Sequence, residues 1–258
     1  MKATNPIIKT LKTLRLYKPA KQSFRVISKV INRQRRFRFY PQLIRKGNLC
    51  FDIGANIGNR TEVFTKIGAR VVAVEPQENC IADLIKKFGK NPNVTLINKA
   101  AGAKIGEGEI HICATKSGLS TLSEEWLRVT KENKRFEDHV DWSAVERVQI
   151  TTLDELIGTY GRPDFCKIDV EGYELEVLKG LTQKIPLISF EYTPEFMSEA
   201  VKCLEYLSQF GDFHCNYSKG ESMKWGLKNW VTLNEFRDTF RVLENEEWFG
   251  DIYVKFDA

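Results

Sequence analysis

The sequence predicts an α/β fold in which helices cover both faces of a mostly parallel, doubly wound sheet. Short, continuously apolar segments alternate with segments of helical periodicity along most of the chain, a pattern typical of a parallel sheet buried on both faces. The chain has 258 residues, which is long enough to bury one sizeable core. Its composition, 42% hydrophobic and 28% charged, is that of an ordinary globular protein.

Seven segments are predicted to form the strands of this sheet. Each is short and apolar; the first ends in a glycine turn and the second is stopped by a proline. The last segment is expected to run antiparallel to its neighbour. The segments cover residues 49–54, 70–75, 94–97, 164–170, 186–191, 213–217 and 251–256.

An insertion follows the third predicted strand, at about residues 103–150. Residues 109–113 and 147–150 within it alternate between polar and apolar side chains, which predicts two further strands. The stretch between them, 114–146, is polar and rich in Lys and Glu. A long segment of this kind inside a compact domain is either disordered or a functional cover, and the sequence leaves both interpretations open.

The N-terminal segment, residues 1–46, is predicted to be a basic helical arm attached to a domain formed by residues 47–258. It holds 14 of the 39 Lys and Arg residues and no Asp or Glu, whereas the remainder carries 25 basic against 34 acidic residues. Its spaced apolar residues predict two amphipathic helices separated by Pro19. Such an arm packs on the domain, or its basic face binds an anionic membrane surface, an anionic substrate or nucleic acid.

The cysteines and the hydropathy favour a cytoplasmic protein, with the basic arm allowing peripheral attachment to the inner face of a membrane. The six cysteines form no C-x-x-C pair, which argues against a disulfide framework or a zinc site. No apolar run approaches the roughly 18 residues that span a bilayer, and we find no signal-peptide pattern at the N-terminus.

Three acidic residues stand at the ends of predicted strands that would be neighbours in the sheet. Asp52 ends the first strand just before a turn containing Gly54 and Gly58, Glu75 ends the second strand, and Asp169 ends the fourth. The carboxyl ends of these strands meet where a doubly wound sheet reverses its strand order, and ligands bind there. Glycine permits a tight turn, and the following helix offers free N–H groups. We therefore predict a ligand site at this edge.

The chemistry of this edge favours a cationic nucleoside ligand over a dinucleotide. A carboxylate at Asp52 suits an ammonium group and would repel a pyrophosphate, and the sequence lacks a G-x-G-x-x-G loop. Glu75, 23 residues after Asp52, is placed to accept hydrogen bonds from ribose hydroxyls. The alternative is that Glu75 lies at the surface and that Asp169 only caps a helix.

The sequence resembles the FkbM-type methyltransferases over about residues 49–192. Four motifs carry the resemblance: 51–58 (FDIGANIG), 73–76 (AVEP), 152–154 (TLD) and 167–174 (KIDVEGYE), the last followed by 177–180 (VLKG). The small residues 117–123 (SGLSTLS) are also similar to a stretch near the substrate in that family. The resemblance implies a Rossmann-like class I fold, S-adenosylmethionine (SAM) as the cofactor, and O-methylation of a hydroxyl on a sugar, glycan or related metabolite.

The resemblance also implies which residues hold the cofactor. The glycine turn would hold its methionine part, Glu75 its ribose, and the small residues Ala100 and Ala101 would leave room for adenine. The predicted cofactor-binding residues are Asp52, Gly54, Ala55, Asn56, Gly58, Thr61, Glu75, Pro76, Ala100, Ala101 and Asp169.

A hydroxyl is a weak nucleophile, so its methylation benefits from a general base. Carboxylates at the ends of the fourth and fifth strands should lie nearest the reacting atoms, and we rank Asp169 first, Glu191 second and Glu171 third. His139 in the insertion is a further candidate, because histidine titrates near neutrality. No metal ligand is assigned, although Asp169 and Glu191 at adjacent strand ends would permit Mg²⁺ binding.

Three other functions are compatible with part of the sequence. A nucleic-acid methyltransferase would use the basic arm, but residues 168–172 (IDVEG) stand where amino-methylating enzymes carry an Asn/Asp-Pro-Pro-aromatic motif, so nucleic acid is not expected as a partner. A nucleotide-dependent oxidoreductase would need the missing third glycine of a dinucleotide loop. A binding module without catalysis would keep the sheet and lose the acids, all of which are present.

Overall fold

The computed structural model describes residues 17–136, 140–245 and 248–257, with side chains described from residue 27 onward. Eleven strands within these residues form two sheets, one large and one small. The strands are β1 (Leu49–Ile53), β2 (Arg70–Val74), β3 (Val94–Ile97), β4 (Ala100–Ala101), β5 (Gly106–Ile112), β6 (Ala144–Thr151), β7 (Phe165–Ile168), β8 (Leu187–Tyr192), β9 (Phe213–Lys219), β10 (Val231–Thr232) and β11 (Gly250–Phe256).

The large sheet has the order β10-β9-β11-β8-β7-β1-β2-β3. The five adjacent strands β8, β7, β1, β2 and β3 pair in parallel. Strand β11 runs antiparallel to both β8 and β9. This mostly parallel sheet confirms the predicted α/β class. The sheet has eight strands rather than the predicted seven, because β10 adds a two-residue edge to β9. Two residues are too few to show the period-2 pattern by which strands are recognised.

The residues that the structure describes include eight α-helices. Glycines mark two boundaries of the second helix, which begins after Gly58 and ends at Gly68, and Thr232 with Glu235 forms a capping box at the start of the eighth. The helices are α1 (Tyr17–Phe39), α2 (Asn59–Ile67), α3 (Glu78–Phe88), α4 (Glu124–Glu132), α5 (Leu153–Tyr160), α6 (Glu174–Lys179), α7 (Met197–Ser208) and α8 (Leu233–Glu244).

The core lies on both faces of the parallel strands. All five residues of β1 are buried, because this strand sits between β2 and β7 and is covered on both sides. Its alternate side chains enter different clusters: Phe51 and Ile53 pack with residues of α5, α6 and α7, and Cys50 packs with residues of α2 and α3. The six cysteines of the chain are free and buried.

The insertion between β3 and β7 is folded over its described residues. Its small sheet has the order β4-β6-β5, and α4 begins at Ser123, whose side chain accepts a hydrogen bond from the Trp126 backbone N–H. Of the two interpretations left open by the sequence, the described part therefore matches a cover. His139, the candidate base in this segment, lies outside the described residues.

The N-terminal helix α1 joins the domain through its C-terminal end. Phe39 and Tyr40 are fully buried, in one cluster with Phe64 and Phe165. Pro19 lies in the first turn of α1, where a proline sacrifices no helical hydrogen bond, so the helix starts before the predicted break. The boundary of the arm at residue 46 remains a prediction. Among the described helices, none has the length and hydropathy required to cross a bilayer.

Candidate functional site

A cleft opens at the carboxyl ends of β1, β2, β7 and β8, and the insertion forms one of its sides. The cleft and its mouth together enclose about 1290 Å³. Most of the residues singled out by the sequence line it: Asp52, Gly54, Ala55, Asn56, Glu75, Pro76, Ala100, Ala101, Asp169, Glu171 and Glu191. The strand order places these residues together, although they come from five separated parts of the chain.

The turn after β1 brings two backbones into contact. Gly54 has φ +77°, and a Cβ on it would lie 1.8 Å from the carbonyl oxygen of Asp169. Only glycine fits a backbone that is both left-handed and this close to another chain segment. The N–H groups of Gly54 and Ala55 both donate to the carbonyl of Val74, at 2.9 and 3.0 Å. The turn therefore ties the ends of β1, β2 and β7 into one unit.

Asp52 is buried at the base of this turn. Its Oδ2 accepts a hydrogen bond of 2.5 Å from the Thr61 hydroxyl on α2. Burial raises the pKa of Asp52, and the hydrogen bond from Thr61 offsets part of that rise. Thr61 and Gly58, which the sequence assigned to the cofactor site, are not among the residues that line the cleft. Thr61 acts on Asp52, and Gly58 is the residue that precedes α2.

Glu75 is held by backbone and side-chain donors. Its Oε2 accepts from the Asn56 N–H at 2.7 Å, and its Oε1 accepts from the N–H and the side-chain amide of Gln77, both at 3.0 Å. Burial raises the pKa of Glu75, and the hydrogen bonds from Gln77 and Asn56 counteract it. A carboxylate has about four lone-pair positions, so Glu75 keeps acceptor capacity for a ligand hydroxyl.

The insertion is attached to these same residues. The Ser117 carbonyl accepts from the Gln77 amide at 3.1 Å, and the Ser120 hydroxyl donates to the Gln77 Oε1 at 2.8 Å. The Asn56 amide donates to the Ser117 hydroxyl at 3.2 Å. Across the cleft, the Thr121 hydroxyl donates to the Glu171 carbonyl at 2.7 Å. Residues 117–121 therefore bridge the two sides of the cleft.

The ends of β7 and β8 carry three crowded carboxylates. Asp169, Glu171 and Glu191 each offer an oxygen atom, and these atoms lie within 4.8 Å of one another. Burial, together with repulsion between these acids, raises the pKa of both Glu171 and Glu191 well above the usual range. Groups this close cannot all be ionised at low cost. The cluster therefore holds a proton more tightly than a lone carboxylate would, and its geometry would also accommodate a divalent cation.

Lys167 lies beneath this cluster and was not singled out by the sequence. Its side chain is fully buried, and its Nζ lies 3.1 Å from Asp169 and 2.9 Å from Asp251. Burial alone would lower the pKa of Lys167, but the two carboxylates raise it well above its usual value. The sequence does contain a signal: a lysine inside an apolar strand, two residues before an acid, needs a buried partner.

The far side of the cleft carries charged and aromatic residues that sequence reasoning also missed. Glu221 accepts from two guanidinium groups, Arg36 of α1 and Arg60 of α2, each at 2.9 Å. Arg60 and Glu221 line the cleft together with Trp126. The Trp126 ring N–H donates to the Thr193 hydroxyl at 3.2 Å, which fixes α4 against the end of β8.

The donor set suits a cationic nucleoside. Asp52 offers a carboxylate for an ammonium group, and Glu75 offers an acceptor for ribose hydroxyls. The short side chains of Ala100 and Ala101 in β4 leave room in the cleft for a flat ring. The Nε atom of Arg60 is buried and has no hydrogen-bond partner, which leaves one polar group beside Asp52 for the ligand to satisfy. The residues present therefore fit SAM.

Comparison with known proteins identifies similar chains. A family model described as Methyltransferase FkbM domain matches residues 52–218. The hexuronic acid methyltransferase AglP of Haloferax volcanii is 26% identical over 145 residues, which make up 55% of this chain and 54% of AglP. The chain thus spans about half the length of this curated relative.

Two solved methyltransferase structures are among those that this chain matches. Precorrin-6y C5,15-methyltransferase of Geobacter metallireducens has a TM-score of 0.44 and 13% identity, with 89% of this chain and 87% of that chain covered. A TehB-like SAM-dependent methyltransferase of Corynebacterium glutamicum has a TM-score of 0.42 and 10% identity, with 86% and 88% covered.

Proposed function

Since the chain belongs to the FkbM methyltransferase family, whose members use SAM, we propose that it methylates a hydroxyl oxygen of a sugar, a glycan or a related metabolite. The observation that carries this proposal is the cluster of Asp169, Glu171 and Glu191, which lies in the same cleft as Asp52 and Glu75. A hydroxyl acceptor has a proton to lose, and this cluster can receive it.

In this proposal one side of the cleft holds the cofactor. Asp52 binds the ammonium of the methionine part, Glu75 binds the ribose hydroxyls, and Pro76, Ala100 and Ala101 border the adenine. When bound, SAM supplies an electrophilic methyl group on a sulfonium. The protein contributes orientation and excludes water, because residues 117–121 span the cleft.

The Glu171 and Glu191 pair is the proton acceptor that the electrostatics favour. Asp169 already forms an ion pair with the buried Lys167 at 3.1 Å, which holds its carboxylate in place. The pKa of each glutamate is raised by burial and mutual repulsion, and a raised pKa makes a carboxylate a stronger proton acceptor. We assign Asp169 to orienting the acceptor and the methyl donor.

The name of the relative supports a sugar acceptor. AglP is a hexuronic acid methyltransferase, and a hexuronic acid offers both hydroxyl and carboxylate oxygens. A carboxylate acceptor brings no proton and would be repelled by three nearby acids. The cluster at the ends of β7 and β8 therefore favours a hydroxyl.

The proposal is tested by a screen with methyl-labelled SAM against neutral sugars, uronic acids and lipid-linked sugars, followed by Glu191→Gln on the best acceptor. We expect turnover to fall by about 10²–10⁴-fold while the SAM affinity measured by calorimetry stays unchanged. Asp169→Asn should also bind SAM and turn over slowly. Glu176→Gln, on the outer side of α6, is the control and should have wild-type turnover.

The pH dependence sharpens the same test. The base acts in its ionised form, so turnover of the wild type should fall as the pH drops through the raised pKa of the glutamate pair, above the usual glutamate value of 4.5. In Glu191→Gln, this fall in turnover should occur over a different pH range. Undiminished turnover in Glu191→Gln, or methylation confined to carboxylate acceptors, would contradict the proposal.

A further inference from the structure

The middle of α1 exposes an apolar stripe. Ile27, Val30 and Ile31 are 56%, 51% and 41% exposed. Their spacing of three and four residues places them on one face of the helix. Single exposed apolar residues are normal, but three on adjacent turns form a patch of the kind that marks an interaction surface.

This stripe is not the side by which α1 joins the domain. Arg36 is buried and pairs with Glu221 at 2.9 Å, and at 3.6 residues per turn it lies opposite Ile27. The aromatic residues at the C-terminal end, Phe37 and Phe39, pack into the core cluster. The helix is therefore held by one end and one face, and the stripe is left on the other face.

The charge around the stripe identifies the kind of surface it fits. Residues 1–46 contain 14 Lys or Arg and no acid, and the exposed side chains of Arg35 and Arg38 lie beside and beyond the stripe. A second copy of the chain would bring two basic helices together, which repel each other. Nucleic acid is bound through phosphates and has no use for an apolar stripe. Basic and apolar groups side by side match the boundary between headgroups and acyl chains in an anionic bilayer.

We propose that α1 lies in the interface of an anionic lipid bilayer, with Ile27, Val30 and Ile31 inserted and the flanking arginines near the lipid phosphates. Arg36 links this helix through Glu221 to Arg60 in the cleft wall. Binding of α1 therefore brings the cleft to the membrane surface, where an acceptor sugar carried by a lipid is concentrated. Membrane binding by α1 is independent of the methyl-transfer chemistry, whereas the role given to a lipid-carried acceptor rests on the proposed function.

The test is flotation of the full chain with phosphatidylcholine vesicles, with and without phosphatidylglycerol, in the absence of SAM and acceptor. The variant carries Ile27→Ser, Val30→Ser and Ile31→Ser together. The matched control carries Ile85→Ser, Ile105→Ser and Val242→Ser, which alter side chains that are 57%, 65% and 52% exposed elsewhere. Equal calorimetric affinity for SAM in all three proteins verifies that each is folded.

We expect the wild type and the control to bind anionic vesicles, and the stripe variant to bind at least about tenfold more weakly. Arg35→Gln with Arg38→Gln should reduce mainly the part of the binding that salt screens. Equal binding by both triple variants would overturn the proposal, as would binding to neutral vesicles as strong as to anionic ones. A dimer in sedimentation velocity that only the stripe variant loses would assign the stripe to a second copy instead.

Discussion

The carboxylates on the two walls of the cleft have different surroundings. On the wall formed by β1 and β2, Asp52 and Glu75 are each buried and each receives hydrogen bonds from neighbours, Thr61 in one case and Asn56 with Gln77 in the other. On the wall formed by β7 and β8, the acids lie within 4.8 Å of one another, and burial together with repulsion among them raises the pKa of Glu171 and Glu191 well above the usual range.

The difference separates two tasks that a methyltransferase must perform. Because Asp52 and Glu75 already accept hydrogen bonds from neighbouring residues, their positions and charge need little reorganisation when a cationic ligand binds. Because Asp169, Glu171 and Glu191 repel one another when ionised, this group of carboxylates binds a proton more tightly than a single carboxylate would. Binding on the first wall and proton uptake on the second can therefore be disturbed independently, and the predictions below test that independence.

The largest effect is expected where the walls touch. Gly54→Ala should lower the free energy of unfolding by about 3 kcal/mol or more, because φ is +77° and the new Cβ would meet the Asp169 carbonyl at 1.8 Å. Gly158→Ala is the matched control, since this exposed helical glycine has no atom within 4 Å of a built Cβ and alanine should stabilise the helix slightly. Urea titration measures both. Equal stability in the two variants would refute the close contact.

A smaller effect is expected from the satisfied wall. Asp52→Ala and Glu75→Ala should each weaken SAM binding at least about 30-fold, since a hydrogen bond to a charged group contributes about 2 kcal/mol, and calorimetry should detect little or no binding. Turnover at saturating SAM is expected to suffer less than in Glu191→Gln. Asp83→Ala, an exposed acid on α3, is the control. Undiminished affinity in both cleft variants would remove these residues from the cofactor site.

The smallest effect concerns the acid behind the crowded wall. Glu174 is buried, accepts from the Val170 N–H at 3.1 Å, and has its pKa raised by burial from 4.5 to about 7. The folded state therefore binds this proton more tightly than the unfolded state, and the stability it contributes is present below pH 4.5 and lost as the pH rises to about 7.

Glu174→Gln keeps the acceptor for Val170 and removes the titration. Relative to wild type, its free energy of unfolding should rise between pH 4.5 and about 7 by an amount on the order of 2 kcal/mol. Denaturant titrations at several pH values measure this, with Glu176→Gln on the same helix as the control. Parallel pH curves for wild type and Glu174→Gln would contradict the raised pKa of the buried Glu174.

The contrast between the walls also explains what the sequence could predict. The short apolar strands and the glycine turn follow from local patterns, and the mostly parallel sheet confirms the predicted class. The contacts around Asp52 and Glu75 are short in sequence: Thr61 is nine residues from Asp52, and Gln77 is two residues from Glu75. A strand–turn–helix unit therefore suggests this wall before any tertiary structure is known, while the roles of its residues stay proposals.

The other wall depends on contacts that no local pattern records. Lys167 joins Asp169 to Asp251 on β11, and Arg60 meets Glu221 across 161 residues of sequence. These pairs form only when the last strands return to the sheet, so periodicity could suggest that a buried lysine has a partner but not which one. The two-residue β10 was missed for a related reason, because it is defined by its pairing with β9 and by nothing in its own sequence.

The six cysteine thiols are free and buried, so their alkylation can report local opening of the structure. Thiolate is the form that alkylating reagents attack, and burial raises the pKa of Cys50, Cys166 and Cys203, so labelling there requires the surrounding structure to open first. Cys80 on α3, Cys113 at the start of the insertion and Cys166 in β7 stand in three different parts of the cleft architecture. Mass spectrometry of the native chain after brief alkylation would time the opening of each part separately, without introducing a single label.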